Sequence, residues 1–460
     1  MGRINKIRHI ESKKIEISLT KKNILVRSII VIGALLLATI LLTNSCSKML
    51  NKSTYISIDY PEIINLEGEK EILFDGEIAI NYYYNIDKAK DSKKNISNKI
   101  KTILNDNLVL SHQLLDSDDG YPENNAEMHN IYYINNHPNT WISVNKELYD
   151  TLLMAMEISN DTDGKYSPFS GCLYQIWNEL FLSYSVNGNN TPSTDPVYSE
   201  TISDSISKVI DSINDGTASI EFNEENYQVK FNVDNTNLQY IKLDLGLLKH
   251  AILIDKLEGL LVDKGFDSGM ITSTTGIAVS LGNDIEDGYS QINSVSYQTI
   301  YNDNNVIYDY SFAFNGYLKC MMFNPFLNIN FNSLSNKNYY WFNHNSDIIM
   351  RTILLDSTTG YTSSNTHSTF TFSIEDKLVD QLKDNYNMFF SNSYDNYLLK
   401  YKDSQKTGAM IVFNDGNTNI EYDGNTTLLY STIAKDYFKE DGLPYIQLSA
   451  VVKDKRVVNE

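Results

Sequence analysis

The sequence predicts an α+β fold, with mixed strands and packed helices in one large domain. Apolar residues alternate in Glu77-Ile78-Ala79-Ile80-Asn81-Tyr82-Tyr83-Tyr84, the period of a half-buried strand. They recur at helical spacing in Leu148, Leu152, Leu153 and Met156, and again in Leu247, Leu248, Ala251, Leu253, Ile254, Leu257, Leu260 and Leu261. From Ile271 to Tyr310 short alternating runs return, Ile277–Leu281 and Val295–Ile300, broken by Asn, Asp and Gly. With 42% hydrophobic residues in 460, the chain can bury a sizeable core.

The chain opens on a basic head. Residues 1–27 hold eight Lys and Arg against Glu11 and Glu16, whereas the whole chain carries a formal charge of -20. Subtracting that +6 leaves -26 on the remainder, and so acidic a body repels phosphate backbones and excludes nucleic acid as a partner. Ile29–Leu42 follows, a 14-residue apolar run interrupted only by Thr39. It is short for a helix crossing about 30 Å of hydrocarbon and suits a secretory signal. The run ends in Leu42-Thr43-Asn44-Ser45-Cys46, small residues before a Cys as a lipoprotein signal peptidase requires, with Thr43 where Leu is usual. Residues 1–46 are therefore expected to be a signal peptide, with lipidation at Cys46, or an uncleaved signal anchor. Either holds the body at the extracytoplasmic face of the cell membrane.

The polar stretch 47–70 reads as a tether and 71–460 as the folded domain. Only Cys172 and Cys320 remain in that domain, too few for a disulfide framework, and both are expected to be buried thiols. After the first helix, Ser185–Pro196 gathers Ser, Asn, Gly, Thr and Pro and reads as a surface loop. The helix from Leu247 stops before Gly265, a suitable C′ residue. Thr369–Phe372 is strand-like, and a helix is expected to begin near Ile374.

Three segments carry a family resemblance. Asp161-Thr162-Asp163-Gly164-Lys165-Tyr166-Ser167-Pro168-Phe169-Ser170-Gly171-Cys172-Leu173, followed by Trp177, is similar to T-D-G-x-φ-D-P-T-x-G-x-L followed by Trp, with Ser167 and Phe169 standing for the Asp and Thr. Leu243-Asp244-Leu245-Gly246-Leu247-Leu248-Lys249-His250-Ala251-Ile252-Leu253-Ile254-Asp255 is similar to D-L-G-G-I-A-K-G-Y-A-V-D, matching at Asp244, Leu245, Gly246 and Asp255. Ile353-Leu354-Leu355-Asp356-Ser357-Thr358-Thr359-Gly360-Tyr361 is similar to H-I-I-D-P-x-T-G-Y, with Ile353 at the His and Ser357 at the Pro. Weaker likenesses lie at Phe74-Asp75-Gly76, at Val144–Leu148, at Val379–Asp384 (A-D-A-L-S-T) and at Gly408–Phe413. In this order, from about residue 74 to about 415, the chain resembles the FAD:protein FMN transferases of the ApbE type.

That resemblance implies a single α+β domain that transfers FMN from FAD to a Ser or Thr of an exported or membrane flavoprotein, with Mg²⁺ as cofactor. It implies contacts to FAD from Asp244 and His250, with Tyr166 lining the flavin, and Mg²⁺ ligands in the Leu247 carbonyl, Asp380 and Asp384. The family's catalytic His falls on Ile353, which cannot transfer a proton, so the catalytic residue is unassigned and His344 and His367 are stand-ins to consider. Thr274 and Thr275 occupy two family glycines and hinder backbone approach to the ligand. Simpler roles stay open. Asp380 and Asp384 suit an acidic helix start, Asp244 a turn or N-cap, His250 an exposed helix face, and Tyr166 plain packing. The alternative function is a catalytically impaired member kept as a flavin- or protein-binding module.

Overall fold

The computed structural model describes residues 54–58, 61–72, 78–84, 90–187, 192–273, 275–281, 292–301, 306–317, 319–323, 339–345, 347–352, 354–363, 366–373, 376–391, 407–414, 426–430 and 454–457. Residues 1–54 with 84–90 form one compact unit, of which only Thr54, Tyr84 and Lys90 are described. Residues 55–83 with 91–460 form the second, to which the following description refers.

Alternating apolar residues build its largest layer, an eight-stranded sheet whose strands lie in chain order: β1 (Thr54–Ile58), β2 (Ile78–Tyr84), β3 (Gly269–Ser273), β4 (Ile277–Leu281), β5 (Lys319–Phe323), β6 (Thr366–Ser373), β7 (Thr407–Asn414) and β8 (Thr426–Tyr430). The ladders from β2 to β8 are antiparallel. Ile78 and Ile80 face the core while Ala79 faces out, the alternation the sequence predicts. Every residue of β5 is buried, so this strand is covered on both faces.

Between β2 and β3 the chain inserts most of its helices. They are α1 (Lys93–Ile103), α2 (Val109–Leu115), α3 (Ile131–Asn136), α4 (Lys146–Asp161), α5 (Gly171–Asn187), α6 (Glu200–Asn214) and α7 (Leu247–Asp263), with a π turn at Leu104–Leu108. A three-stranded sheet, Trp141–Ser143 beside Gln228–Val233 beside Ala218–Asn223, lies among them. Asn145 caps α4 by accepting the Glu147 N–H at 2.8 Å. Helix α7 buries Leu248, Ala251, Leu253, Ile254, Leu257 and Leu261, which explains the nearly continuous apolar run in its sequence. Its end is a Schellman turn. Gly265, with φ +81°, donates to Val262 at 2.9 Å, and Phe266 donates to Leu261 at 2.8 Å.

Helix α8 (Leu378–Phe389) packs on β5, β6 and α7. A buried polar seam fixes it to the sheet: the Thr369 hydroxyl donates to Asn385 (2.8 Å), the Thr371 hydroxyl to Gln381 (3.0 Å), and Asn385 Nδ2 to the Met321 carbonyl (3.3 Å).

Several expectations require correction. The segment expected as a tether contributes β1 and the pair Glu62–Ile64 and Lys70–Ile72, burying Ile58 and Ile63. The expected loop Ser185–Pro196 begins inside α5, which continues through Asn187, and it includes fully buried Asp195. The expected start near Ile374 moves to Leu378. Cys320 is buried, and burial pushes its thiol well up, but Cys172 is only partly covered. Among the described residues no helix is long and apolar enough to cross a membrane, and Ile29–Leu42 and Cys46 lie outside them.

Candidate functional site

Asp244 closes the turn that leads into α7. One carboxylate oxygen accepts the Gly246 N–H at 2.7 Å and the other the Ser117 hydroxyl at 3.1 Å, while the Asp244 N–H donates to the Pro168 carbonyl at 2.9 Å. The second motif is thereby tied to the first. Gly246 has φ +51° and ψ -130°, so its conformation demands glycine, and an added Cβ would stand a tight 3.1 Å from the Tyr174 hydroxyl. Burial pushes the Asp244 carboxyl above the usual range. The charge of Asp118 adds to that, and the Gly246 N–H, Lys249 and Ser117 oppose it.

Three tyrosines gather beside this turn. Tyr166 is fully buried, donates to the Leu245 carbonyl at 3.4 Å and meets the Tyr386 ring edge-on at 5.5 Å. Tyr174 and Tyr386 are hydrogen-bonded to each other. Burial pushes the Tyr386 phenol up to about 12, against the Tyr174 hydrogen bond, and the charges of Asp356 and Asp244 push further.

The third motif folds against the first. Asp356 accepts the N–H and hydroxyl of Thr358 (2.8 and 2.6 Å), and its carbonyl accepts the Gly360 N–H (2.7 Å). Ser357 donates its N–H to the Lys165 carbonyl (2.8 Å) and accepts the Ser170 hydroxyl (2.8 Å), and Trp177 donates to the Gly360 carbonyl (2.9 Å). Gly360 has φ +83°, and a Cβ there would lie 2.6 Å from Ile206 Cγ2. Arg351 flanks the junction, ion-paired to buried Asp195 at 2.9 and 3.1 Å and lying over the rings of Trp177 and Tyr361.

Helix α8 brings the acidic residues. Its N-terminus has no cap from its own segment. Asp255, on α7, accepts the Leu378 N–H at 2.8 Å and the Val379 N–H, and pairs with Lys319 at 3.0 Å. Further along α8, Tyr386 stands among Tyr166 and Tyr174, beside Leu245. Thus α8 begins at Asp255 and returns along α7 toward Leu247, the buried first residue of that helix. Asp380, in the first turn, is exposed, and Asp384 one turn later is half-buried. Between them Lys383 pairs with Asp161 at 3.0 Å.

Residues 110–290 match the model described as the ApbE family. The fold is ApbE-like. The structure of the ApbE protein from Thermotoga maritima aligns with a TM-score of 0.50 at 15% identity, covering 84% of this chain and 99% of that one. The flavin transferase ApbE from Vibrio cholerae aligns with a TM-score of 0.50 at 11% identity, with the same coverages. No curated protein matches the chain. The matched family region holds the first two motifs, and the third lies beyond it.

Within this ApbE-like fold His250 does not lie on an exposed helix face. It is buried, and burial, then the charges of Lys249 and His112, hold its imidazole well below the usual range. The cation at the turn is Lys249, a residue no motif singled out, whose charge acts on Asp244, Asp116 and both histidines. Its signal in the sequence is a lone Lys in the apolar opening of a helix. Thr275, at a family glycine, is buried and turned onto its own loop, with its hydroxyl 2.6 Å from Ser273 Oγ. His344 contacts Tyr198 (3.0 Å) and Asn345 (2.9 Å). Thr274, Ile353 and Phe74-Asp75-Gly76 lie outside the described residues, as does the side chain of His367.

Proposed function

We propose that the chain transfers FMN from FAD to a Ser or Thr hydroxyl of an exported or membrane flavoprotein, with Mg²⁺, at the extracytoplasmic face of the cell membrane. The observation that supports this reading best is the convergence of the three motif segments on Asp244 and the Tyr166–Tyr174–Tyr386 cluster, with the acidic helix α8 returning beside them. The donors present suit the ion. Asp380 and Asp384 are one turn apart on one helix face, and with the Leu247 carbonyl they offer the hard oxygen ligands Mg²⁺ takes. When bound, Mg²⁺ supplies charge neutralisation at the FAD pyrophosphate. The chain's own residues do the rest. The opening turn of α7 and Lys249 attract phosphate. In the reaction the acceptor oxygen forms a bond to the FMN phosphorus as the bond to AMP breaks, and the acceptor proton must pass to a base.

Ile353 cannot be that base, and with Thr275 closed onto Ser273 it favours a second reading, an impaired family member that binds flavin or protein. One assay separates the two. The full-length chain is mixed with FAD, Mg²⁺ and an acceptor peptide, and covalent FMN on the peptide is followed by fluorescence and mass. Transfer should saturate with Mg²⁺, and Asp380→Ala should need at least about tenfold more of the ion. Ile353→His should raise the rate by about 10²–10⁴-fold with FAD affinity nearly unchanged. Binding of FAD without transfer by either chain supports the second reading, and absence of FAD binding refutes the first and leaves of the second only the protein-binding role.

A further inference from the structure

Asp116 and Ser117 are neighbours that serve different clusters. Ser117 donates to Asp244, whereas Asp116 turns to a second acidic group that no flavin contact uses. There the buried Tyr121 hydroxyl touches a carboxylate oxygen of Glu71 and lies 2.7 Å from Asp116 Oδ2. One phenol hydrogen cannot serve two ionised carboxylates at once. Asp116 Oδ1 accepts the N–H groups of Asp118 (2.8 Å) and Asp119 (3.1 Å). Asn65 donates to Glu71 and to Asp119, each at 3.0 Å. From α2, fully buried His112 points Nε2 at Asp116 Oδ2, 4.0 Å away. One donor atom from each of Glu71, His112 and Asp116 lies within 4.8 Å of the other two.

Carboxylates this close repel one another unless a proton or a cation stands between them. The donor set suits a cation. An imidazole with two carboxylates is a ligand set for Zn²⁺, Mn²⁺ or Fe²⁺, whereas Mg²⁺ takes oxygen alone. The His112 ring presents its Nε2 to the carboxylates. Ligand bonds of about 2.0–2.2 Å put tetrahedral donors about 3.3 Å apart, so the 4.0 Å gap between His112 and Asp116 closes with a small shift. Asn65, Tyr121 and the amides of 118 and 119 already orient the carboxylates, as outer-shell partners do.

We propose that Glu71, His112 and Asp116 bind one divalent transition-metal ion, at a site separate from the Mg²⁺ ligands of the flavin reaction. The proposal does not rest on flavin binding. The test is equilibrium dialysis of the chelator-stripped, full-length chain against Zn²⁺, with excess Mg²⁺ and no FAD. One Zn²⁺ per chain is expected. His112→Gln and Glu71→Gln should each bind at least about tenfold more weakly, since losing even an outer-shell partner costs that much, while Asp380→Ala should match the native chain. Failure of the native chain to take up Zn²⁺, or uptake by His112→Gln equal to it, overturns the proposal. Because these substitutions touch a buried network, the native chain is also loaded with Mn²⁺ and read by electron spin-echo modulation. A directly bound nitrogen is expected, and an all-oxygen ion overturns the assignment.

Discussion

Tyr386 stands where the charges of Asp356 and Asp244 meet, yet no motif pointed to it. Its phenol is pushed up to about 12 in the folded chain, against about 10 when unfolded. Below about pH 10 both states keep the proton and Tyr386 contributes no pH dependence. Above it the unfolded chain ionises first, so stability falls as pH rises from about 10 toward 12. Urea midpoints across that window should fall less steeply in Tyr386→Phe, and an equal slope would mean that the phenol is not confined. The pair Lys249 and His250 shows what one residue of register does. Successive helical residues point about 100° apart, so the motif alignment identified the position but not which neighbour turned inward. Gly246 was legible as a match to the second motif, and the structure supplies the reason in its φ of +51° and the closeness of Tyr174.

Helices α4 and α7 were legible from the spacing of their apolar residues. Gly265 marks the end of α7 in the sequence itself. The start of α8 was not, because its cap comes from Asp255, more than a hundred residues upstream. Replacing that carboxylate should therefore unsettle α8 as a unit. Asp255→Ala is expected to lose about 1–2 kcal/mol of stability, the range for a lost helix cap, and to raise the Mg²⁺ needed for half-maximal transfer. Asp255→Asn, which keeps an acceptor, should recover part of both. A midpoint and Mg²⁺ requirement unchanged in Asp255→Ala would mean that the polar seam of Thr369, Thr371 and Asn385 positions the helix alone. Asp195 was misread as exposed for a similar reason, since the partner that buries it is Arg351.

For the molecule as a whole, alternation and helical period were enough to predict an α+β domain, and the order of the motifs was enough to predict its ApbE-like architecture. The strands before residue 72 were missed because they are short, and only their pairing makes them strands. The membrane anchor expected from the sequence rests on the basic head, Ile29–Leu42 and Cys46. Cys46→Ser should move the protein from the membrane fraction to the soluble exported fraction if the Cys carries lipid, and retention without lipid label would leave the uncleaved anchor.

The junction of the first and third motifs joins residues far apart in the chain, 187 positions for Ser170 to Ser357 and 183 for Trp177 to Gly360. Closing loops of that length has an entropic cost that local helices do not repay. Folding of this junction is thus a late, long-range event. A chain that emerges N-terminus first has its first motif waiting, unmatched, until residue 360 has followed it.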